Sequence, residues 1–132
     1  MIIVVRGTPA PQGSKRHVGR GIMIESSKAV GPWREAVRAE TQRAVKDIGP
    51  ADGAVSVTIQ FYLPRPKSLP GRVTAHVRRP DLDKLGRAVL DGLTDGGAWL
   101  DDSQVTRLML GKCYATGNVT PGCTIRIEEN GS

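Results

Sequence analysis

Apolar and polar residues alternate along positions 55–63, where Val55, Val57, Ile59, Phe61 and Leu63 are spaced by Ser56, Thr58, Gln60 and Tyr62. A period of two over this length predicts a strand with one face buried. Cys123, Ile125 and Ile127 alternate with Thr124, Arg126 and Glu128 in the same way and predict a last strand. The β-branched run at 2–6 and the apolar stretch at 105–115 predict two more. Helical spacing appears twice. Trp33, Ala36, Val37, Thr41, Ala44, Val45 and Ile48 lie on one face of a helix that Pro32 can start and Gly49-Pro50 ends. Leu82, Leu85, Val89 and Leu93, with Ala88 and Leu90 beside them, form a second face, broken by Thr94-Asp95-Gly96-Gly97. Trp99-Leu100 then returns to the core.

Between these elements the chain punctuates itself with Gly and Pro. Residues 7–14 read as a loop. Lys15, Arg16, His17 and Arg20, followed by Ile22-Met23-Ile24, suggest a small hairpin that presents positive charge. Residues 64–79 show no periodicity and read as a long basic loop, a feature that in compact domains is often functional. Residues 129–132 read as a frayed tail. There is no internal repeat or linker. The expected fold class is α+β: one domain over residues 1–132, with a mixed sheet of about four main strands and two principal helices packed on it.

Composition changes this picture in one respect. Lys and Arg outnumber Asp and Glu by 19 to 13, giving a formal net charge of +6. A basic domain fits a polyanionic partner as well as it fits a merely solvated surface. Two Trp, two Tyr and one Phe are too few for a base-stacking platform, which argues against single-strand binding of that kind. The apolar run after Met1 is too short to cross a bilayer and meets Arg6-Gly7, so no membrane association and a cytoplasmic location are expected. Cys113 and Cys123 lack zinc-site spacing, and buried thiols are expected rather than a disulfide between neighbouring strands.

Against this positive background, carboxylates gather at both ends of one short unit. Asp81 and Asp83 follow Pro80, a helical stretch comes next, and Asp101 and Asp102 follow the Gly-rich turn. Hard cations such as Mg²⁺ take oxygen ligands, and one or two carboxylates with a substrate phosphate suffice. Asp81 and Asp83 would project to one side of an extended segment, with Asp101 and Asp102 arriving from the turn beyond the helix. Taken singly, each aspartate also reads as ordinary: Asp83 as an N-cap, Asp95 and Asp101 as turn residues, Asp91 as a solvated helix position. His76 is the only histidine near the unit and has a minor claim to proton transfer. His17 has no Cys or His near it and reads as structural or solvated.

The segments RPDLDKL, LDGLTDGG and WLDDSQV resemble the RusA-like family of Holliday junction resolvases, and GTPAPQGSKR is similar to that family's N-terminal strand and Gly-rich basic loop. The resemblance extends over most of the chain, with both acidic motifs in the family's order and spacing. It implies a homodimeric, Mg²⁺-dependent endonuclease of mixed α+β fold, with Mn²⁺ as a substitute ion and no small-molecule cofactor. The first acidic motif falls on Asp81 and Asp83 and the second on Asp102, with Asp101 beside it. Arg87 stands at a basic position where the family often has Lys. Lys84 stands where Asn is common, and can itself meet a phosphate.

The expected chemistry is metal-assisted phosphodiester hydrolysis, with Asp81, Asp83 and Asp102, and Asp101 beside them, as ligands to one or two ions, and Arg87 or Lys84 offsetting charge on the phosphate oxygens. Lys15, Arg16, Arg20, Arg65, Lys67, Arg72, Arg78, Arg79 and Lys84 are the expected DNA contacts. A four-way DNA junction is nearly two-fold symmetric, and a C₂ dimer supplies the two sites that paired nicks need. The setting would be recombination or repair in a bacterial cell, by a host, phage or prophage protein. Two other classes remain open: a non-catalytic DNA-binding protein, and a metal-dependent phosphohydrolase acting on small nucleotides.

Overall fold

The computed structural model describes residues 1–13, 15–17, 23–25 and 28–130. Its main sheet takes β1 (Ile2–Arg6), β4 (Val55–Leu63), β5 (Val105–Tyr114) and β6 (Gly122–Glu129) in the order β1-β6-β4-β5. β6 pairs antiparallel with both β1 and β4, while β4 and β5 run parallel. A small antiparallel ribbon joins β2 (Lys15–His17) to β3 (Met23–Glu25), which is the hairpin expected after the first loop. The side chains of Lys15, Arg16 and His17, and the whole of Arg20, lie outside the described residues. The architecture is the mixed α+β sheet with two helices that the periodicities predict.

Both helices, α1 (Val30–Val45) and α2 (Leu82–Asp95), cover the same face of the sheet. The inward phase of each strand supplies the other half of the core: Ile3 and Val5 from β1, Val55 to Leu63 at every second position from β4, and Cys123, Ile125 and Ile127 from β6. Val37, Val55, Val57, Phe61, Leu85, Val89 and Leu93 are completely buried. Each such side chain contributes about 1.5–3 kcal/mol of transfer free energy. Trp33 and Trp99 are core residues as well.

The register decides the fate of the cysteines. Cys123 pairs with Phe61 and faces the helices, whereas Cys113 pairs with Tyr62 and faces the other way. The two thiols are two strand spacings apart, about 10 Å, and on opposite faces, beyond the reach of a disulfide. Both are free, and burial raises the pKa of Cys123 to about 12.

Three expectations are corrected. Ile48 and Leu100 are exposed, because α1 ends at Val45 and because Leu100 projects outward while Trp99 takes the inward place. The tail does not fray at its start: Glu129 belongs to β6, and Asn130 donates its amide N–H to the Ala54 carbonyl at 2.9 Å and its Nδ2 to Ser56 Oγ at 2.7 Å. Residues 131–132 lie outside the described set. The basic loop also pairs with the sheet. Ala75 bridges to Cys113, and the Tyr114 N–H donates to Thr74 O at 3.0 Å, so its middle extends the sheet beyond β5.

α2 seats closely on its neighbours because it carries glycine at the contacts. A Cβ at Gly92 would stand 2.8 Å from Val37 Cβ and 3.1 Å from Arg34 O on α1, and one at Gly86 would meet Leu110 Cδ1 of β5 at 2.5 Å. Alanine favours a helix by about 1 kcal/mol over glycine, yet here it forces α1 and α2 apart. Gly92→Ala therefore lowers net stability by about 1–3 kcal/mol, read by chemical denaturation. A stabilised variant would show that the helices part without cost.

Candidate active site

Parallel pairing requires the chain to leave the end of β4 and return to the start of β5, a crossover that cannot be made by a tight turn. Residues 64–104 make that crossover, and α2 runs its length. The crossover separates the two acidic motifs. Asp81 is the N-cap residue of α2, with φ −71° and ψ 142°, and Asp83 lies in its first turn. Asp101 and Asp102 come after the helix, at the 3₁₀ turn Asp102–Gln104 that leads into β5. Fourteen residues of α-helix span about 20 Å. Within one chain, Asp102 therefore stands beyond the far end of α2 from Asp81 and Asp83. Among the described residues no three Asp, Glu, His or Cys side chains gather closely enough to hold a metal ion.

Each motif has its own setting. The Asp81 side chain makes no capping hydrogen bond, and its nearest charge is the Lys84 ammonium at 3.9 Å on the surface. Such an exposed pair is worth about 0–1 kcal/mol, so the carboxylate stays available to a ligand. Asp83 is exposed, and its charge suits the positive end of the helix dipole. The Thr8–Gly13 part of the N-terminal loop lies against this end. Gln12 donates its N–H to Lys84 O at 3.0 Å, and its Oε1 accepts from Arg34 at 2.9 Å. Pro9, Pro11, Gly13, Arg79, Asp81 and Lys84 line an open cleft of about 510 Å³.

At the other end, Asp101 is spent on structure. Its carboxylate accepts from Ser103 N–H at 2.8 Å, and hydrogen bonds led by that one hold its pKa below the ordinary value. Gln104 completes the capping box, with Oε1 accepting from Leu100 and Asp101 N–H and Nε2 donating to the carbonyls of Ala51 and Gly53. This ties the turn to the lead-in of β4 and leaves Asp102 exposed on a braced backbone.

Arg87 is exposed on α2, one turn beyond Asp83 and one turn before Asp91, which is the side-chain spacing of an i, i+4 stripe. Asp91 is more than a solvated position. It stands 4.0 Å from Arg34, and burial pushes its pKa up; Arg34 opposes that push, and the charges of Asp95 and Asp102 add to it. Of the loop cations, Lys67, Arg72, Arg78 and Arg79 are exposed, and Lys84 is half-buried. Arg65 turns inward. Its guanidinium donates to the carbonyls of Val73, Leu69 and Pro70 and lies 5.9 Å over the Tyr114 ring, so it shapes the loop that carries the others.

Lys112 went unnoticed in the sequence. It occupies the inward phase of β5, with Leu108, Leu110 and Tyr114, and its Nζ donates to Arg78 O at 2.7 Å and Pro80 O at 2.8 Å. A lysine in the inward phase of a strand is the signal that marks it.

His76 packs against Tyr114 with 4.6 Å between ring centroids and the rings tilted by 49°. Burial, then the charge of Lys112, lowers its pKa below the ordinary imidazole value. The folded state therefore prefers neutral His76. The stability so gained is present above the unfolded pKa of about 6.5 and is lost as pH falls through the lower folded value. Thermal melts of wild type and His76→Gln should differ most at neutral pH and converge as pH is lowered towards about 5. Parallel curves would show that His76 is not held neutral.

Comparison with known proteins bears on what these groups serve. Residues 6–128 match the family model described as Endodeoxyribonuclease RusA. Curated proteins named Crossover junction endodeoxyribonuclease RusA, from Escherichia coli strain K12 and Shigella sonnei strain Ss046, are each 37% identical over 73 residues, which is 55% of this chain and 51% of the relative. The chain spans about half the length of the curated relatives it matches. With the family model covering all but the two ends of the chain, the protein belongs to the RusA endodeoxyribonuclease family.

Proposed function

We propose that the protein is a Mg²⁺-dependent, structure-specific endodeoxyribonuclease that resolves four-way DNA junctions by paired nicks in recombination and repair, and that it does so as a homodimer. The observation that carries this reading is the placement of Asp81 and Asp83 at one end of α2 and of Asp102, on a turn braced by Asp101, beyond the other. Asp81, Asp83 and Asp102 are hard oxygen donors, exposed and free of capping bonds in their side chains, and so fit a hard cation in kind. One chain does not collect them. A two-fold axis that sets α2 and the part of the β5 edge before Cys113 against their copies in antiparallel sense brings Asp102 of one protomer towards Asp81 and Asp83 of its partner. Exposed Leu108 and Met109 lie on that edge and suit burial there.

In such a dimer Asp81 and Asp83 hold the ion from one chain and Asp102 from the other, with Asp101 keeping the Asp102 turn in place. Mn²⁺ satisfies the same oxygen donors. When bound, the cation polarises the scissile phosphate and makes a water nucleophilic near neutral pH. Arg87, on the same stripe as Asp83, offsets charge developing on the phosphate oxygens. Lys84 meets a neighbouring phosphate at the cleft. Lys67, Arg72, Arg78 and Arg79, on the loop shaped by Arg65, follow the DNA backbone into the site, and Lys15, Arg16 and Arg20 are further phosphate contacts. Two sites related by the dyad nick opposed strands of a two-fold junction. No described helix is long and apolar enough to cross a membrane, in keeping with action on DNA in the cytoplasm.

The protein is incubated with a synthetic junction, a plain duplex and a nucleotide, with and without Mg²⁺. The reading requires junction cleavage only with the ion. Binding without cleavage, indifferent to Mg²⁺, would instead mark a DNA-binding protein, and turnover of the nucleotide a small-substrate phosphohydrolase. Asp81→Asn, Asp83→Asn and Asp102→Asn should each lower cleavage by about 100-fold or more while junction binding holds. Asp95→Asn should stay near wild type. Comparable losses at Asp95 and Asp102 would point to general damage around the turn.

A further inference from the structure

We propose that Lys112 is the positioning residue for Asp81: it pins the backbone that delivers this carboxylate to the site. The inference rests on the reading of Asp81 as a metal ligand. Lys112 reaches from β5, across the sheet face it shares with Leu108, Leu110 and Tyr114, to the last residues of the basic loop. Its ammonium donates to Arg78 O at 2.7 Å and to Pro80 O at 2.8 Å. These two carbonyls bracket Arg79. The Pro80 carbonyl belongs to the peptide unit whose nitrogen is that of Asp81, so Lys112 orients the very plane from which Asp81 departs.

Asp81 needs such a hold because its own side chain provides none. It accepts no capping bond, and its ion pair with Lys84 is long and exposed. The backbone there changes from extended to helical, where a small rotation swings the carboxylate widely. Bonds from a charged donor are about twice as strong as neutral ones, and two of them from one head fix both position and tilt. Neighbouring anchors stop short of this point: Tyr114 N–H holds Thr74 and the Ala75 bridge holds Cys113. His76 also faces the Arg78 backbone, but the carbonyls on both sides of Arg79 are held by Lys112.

The test separates positioning from general stability and from the metal reading. Trypsin cuts after Arg78, whereas the bond after Arg79 is protected by Pro80. Initial cleavage after Arg78 should rise about 10-fold or more in Lys112→Met, as the local opening loses its charged bonds. Cleavage after Lys67 and Arg72 should keep its wild-type rate, and the melting temperature should move little. Mn²⁺ affinity of the protein, measured by calorimetry without DNA, should fall about 10–100-fold, with junction affinity in chelator unchanged. Lys112→Arg, which offers two N–H groups to the same carbonyls, should recover most of both. Should Lys112→Met melt below the assay temperature, Lys112→Gln carries the same measurements.

An unchanged rate after Arg78 overturns the proposal, as does equal acceleration at all three bonds. Asp81→Asn is measured beside it. If Asp81→Asn loses Mn²⁺ and Lys112→Met binds it normally, Lys112 does not position the ligand. If Asp81→Asn itself binds Mn²⁺ like wild type, the metal reading fails, and the positioning role proposed for Lys112 falls with it even where the cleavage result stands.

Discussion

The parallel pairing of β4 with β5 is the constraint from which the rest follows. Two parallel neighbours cannot be joined by a hairpin, so the chain must travel back along the sheet before the second strand begins. α2 makes that journey, buries Leu85, Val89 and Leu93 on the way, and is drawn close by Gly86 and Gly92. One acidic motif starts the journey and the other ends it. The distance between them is a consequence of topology, and no side-chain rotation within the chain closes it. On the proposed reading, a site that uses all three aspartates therefore draws on two chains.

Charge is managed differently on the two sides of the molecule. On the outer face of α1, Arg38 pairs with Glu35 and Arg43 with Glu40, local exposed bridges that add solubility and little stability. Around the Asp81 end Lys84 makes only a long exposed pair with Asp81, and Arg65 and Lys112 work on the backbone. Arg65 and Lys112 are both turned to carbonyls, the first to curl the basic loop and the second to tether its end. Arg72, Arg78 and Arg79 are thereby held outward on a braced segment. A loop that positions charge in this way loses less entropy on meeting a polyanion than a free one.

How far the sequence discloses this depends on whether the information is local. The alternation at 55–63 predicts β4 to the residue, and the helical course through Leu85, Val89 and Leu93 predicts the buried face of α2, because periodicity reports which face is inward. It does not report partners. That β5 runs parallel to β4, and not antiparallel, is a long-range property, and the placement of Asp102 relative to Asp81 hangs on it. Arg65 looked like one more loop cation because composition is blind to direction. Lys112 left a trace in the pattern, a charge in an inward phase, but its carbonyl partners are 32 and 34 residues away. The resemblance of the acidic segments to a known family carried the chemistry further than the pattern did, while the geometry of one chain showed what that chemistry still lacks.

The central claim is that each proposed site draws Asp81 and Asp83 from one protomer and Asp102 from the other, and mixing defective subunits tests it most directly. Asp81→Asn and Asp102→Asn subunits, carrying different tags, are co-refolded and the heterodimer fraction is verified by double capture. A shared site predicts that the heterodimer holds one wholly intact site and one doubly defective site. Statistical mixing then restores about one quarter of wild-type nicking, on one strand of the junction only, from two preparations that are each inactive. A site contained in one chain leaves every site in the mixture with one defect. Silence from a verified heterodimer would contradict the account.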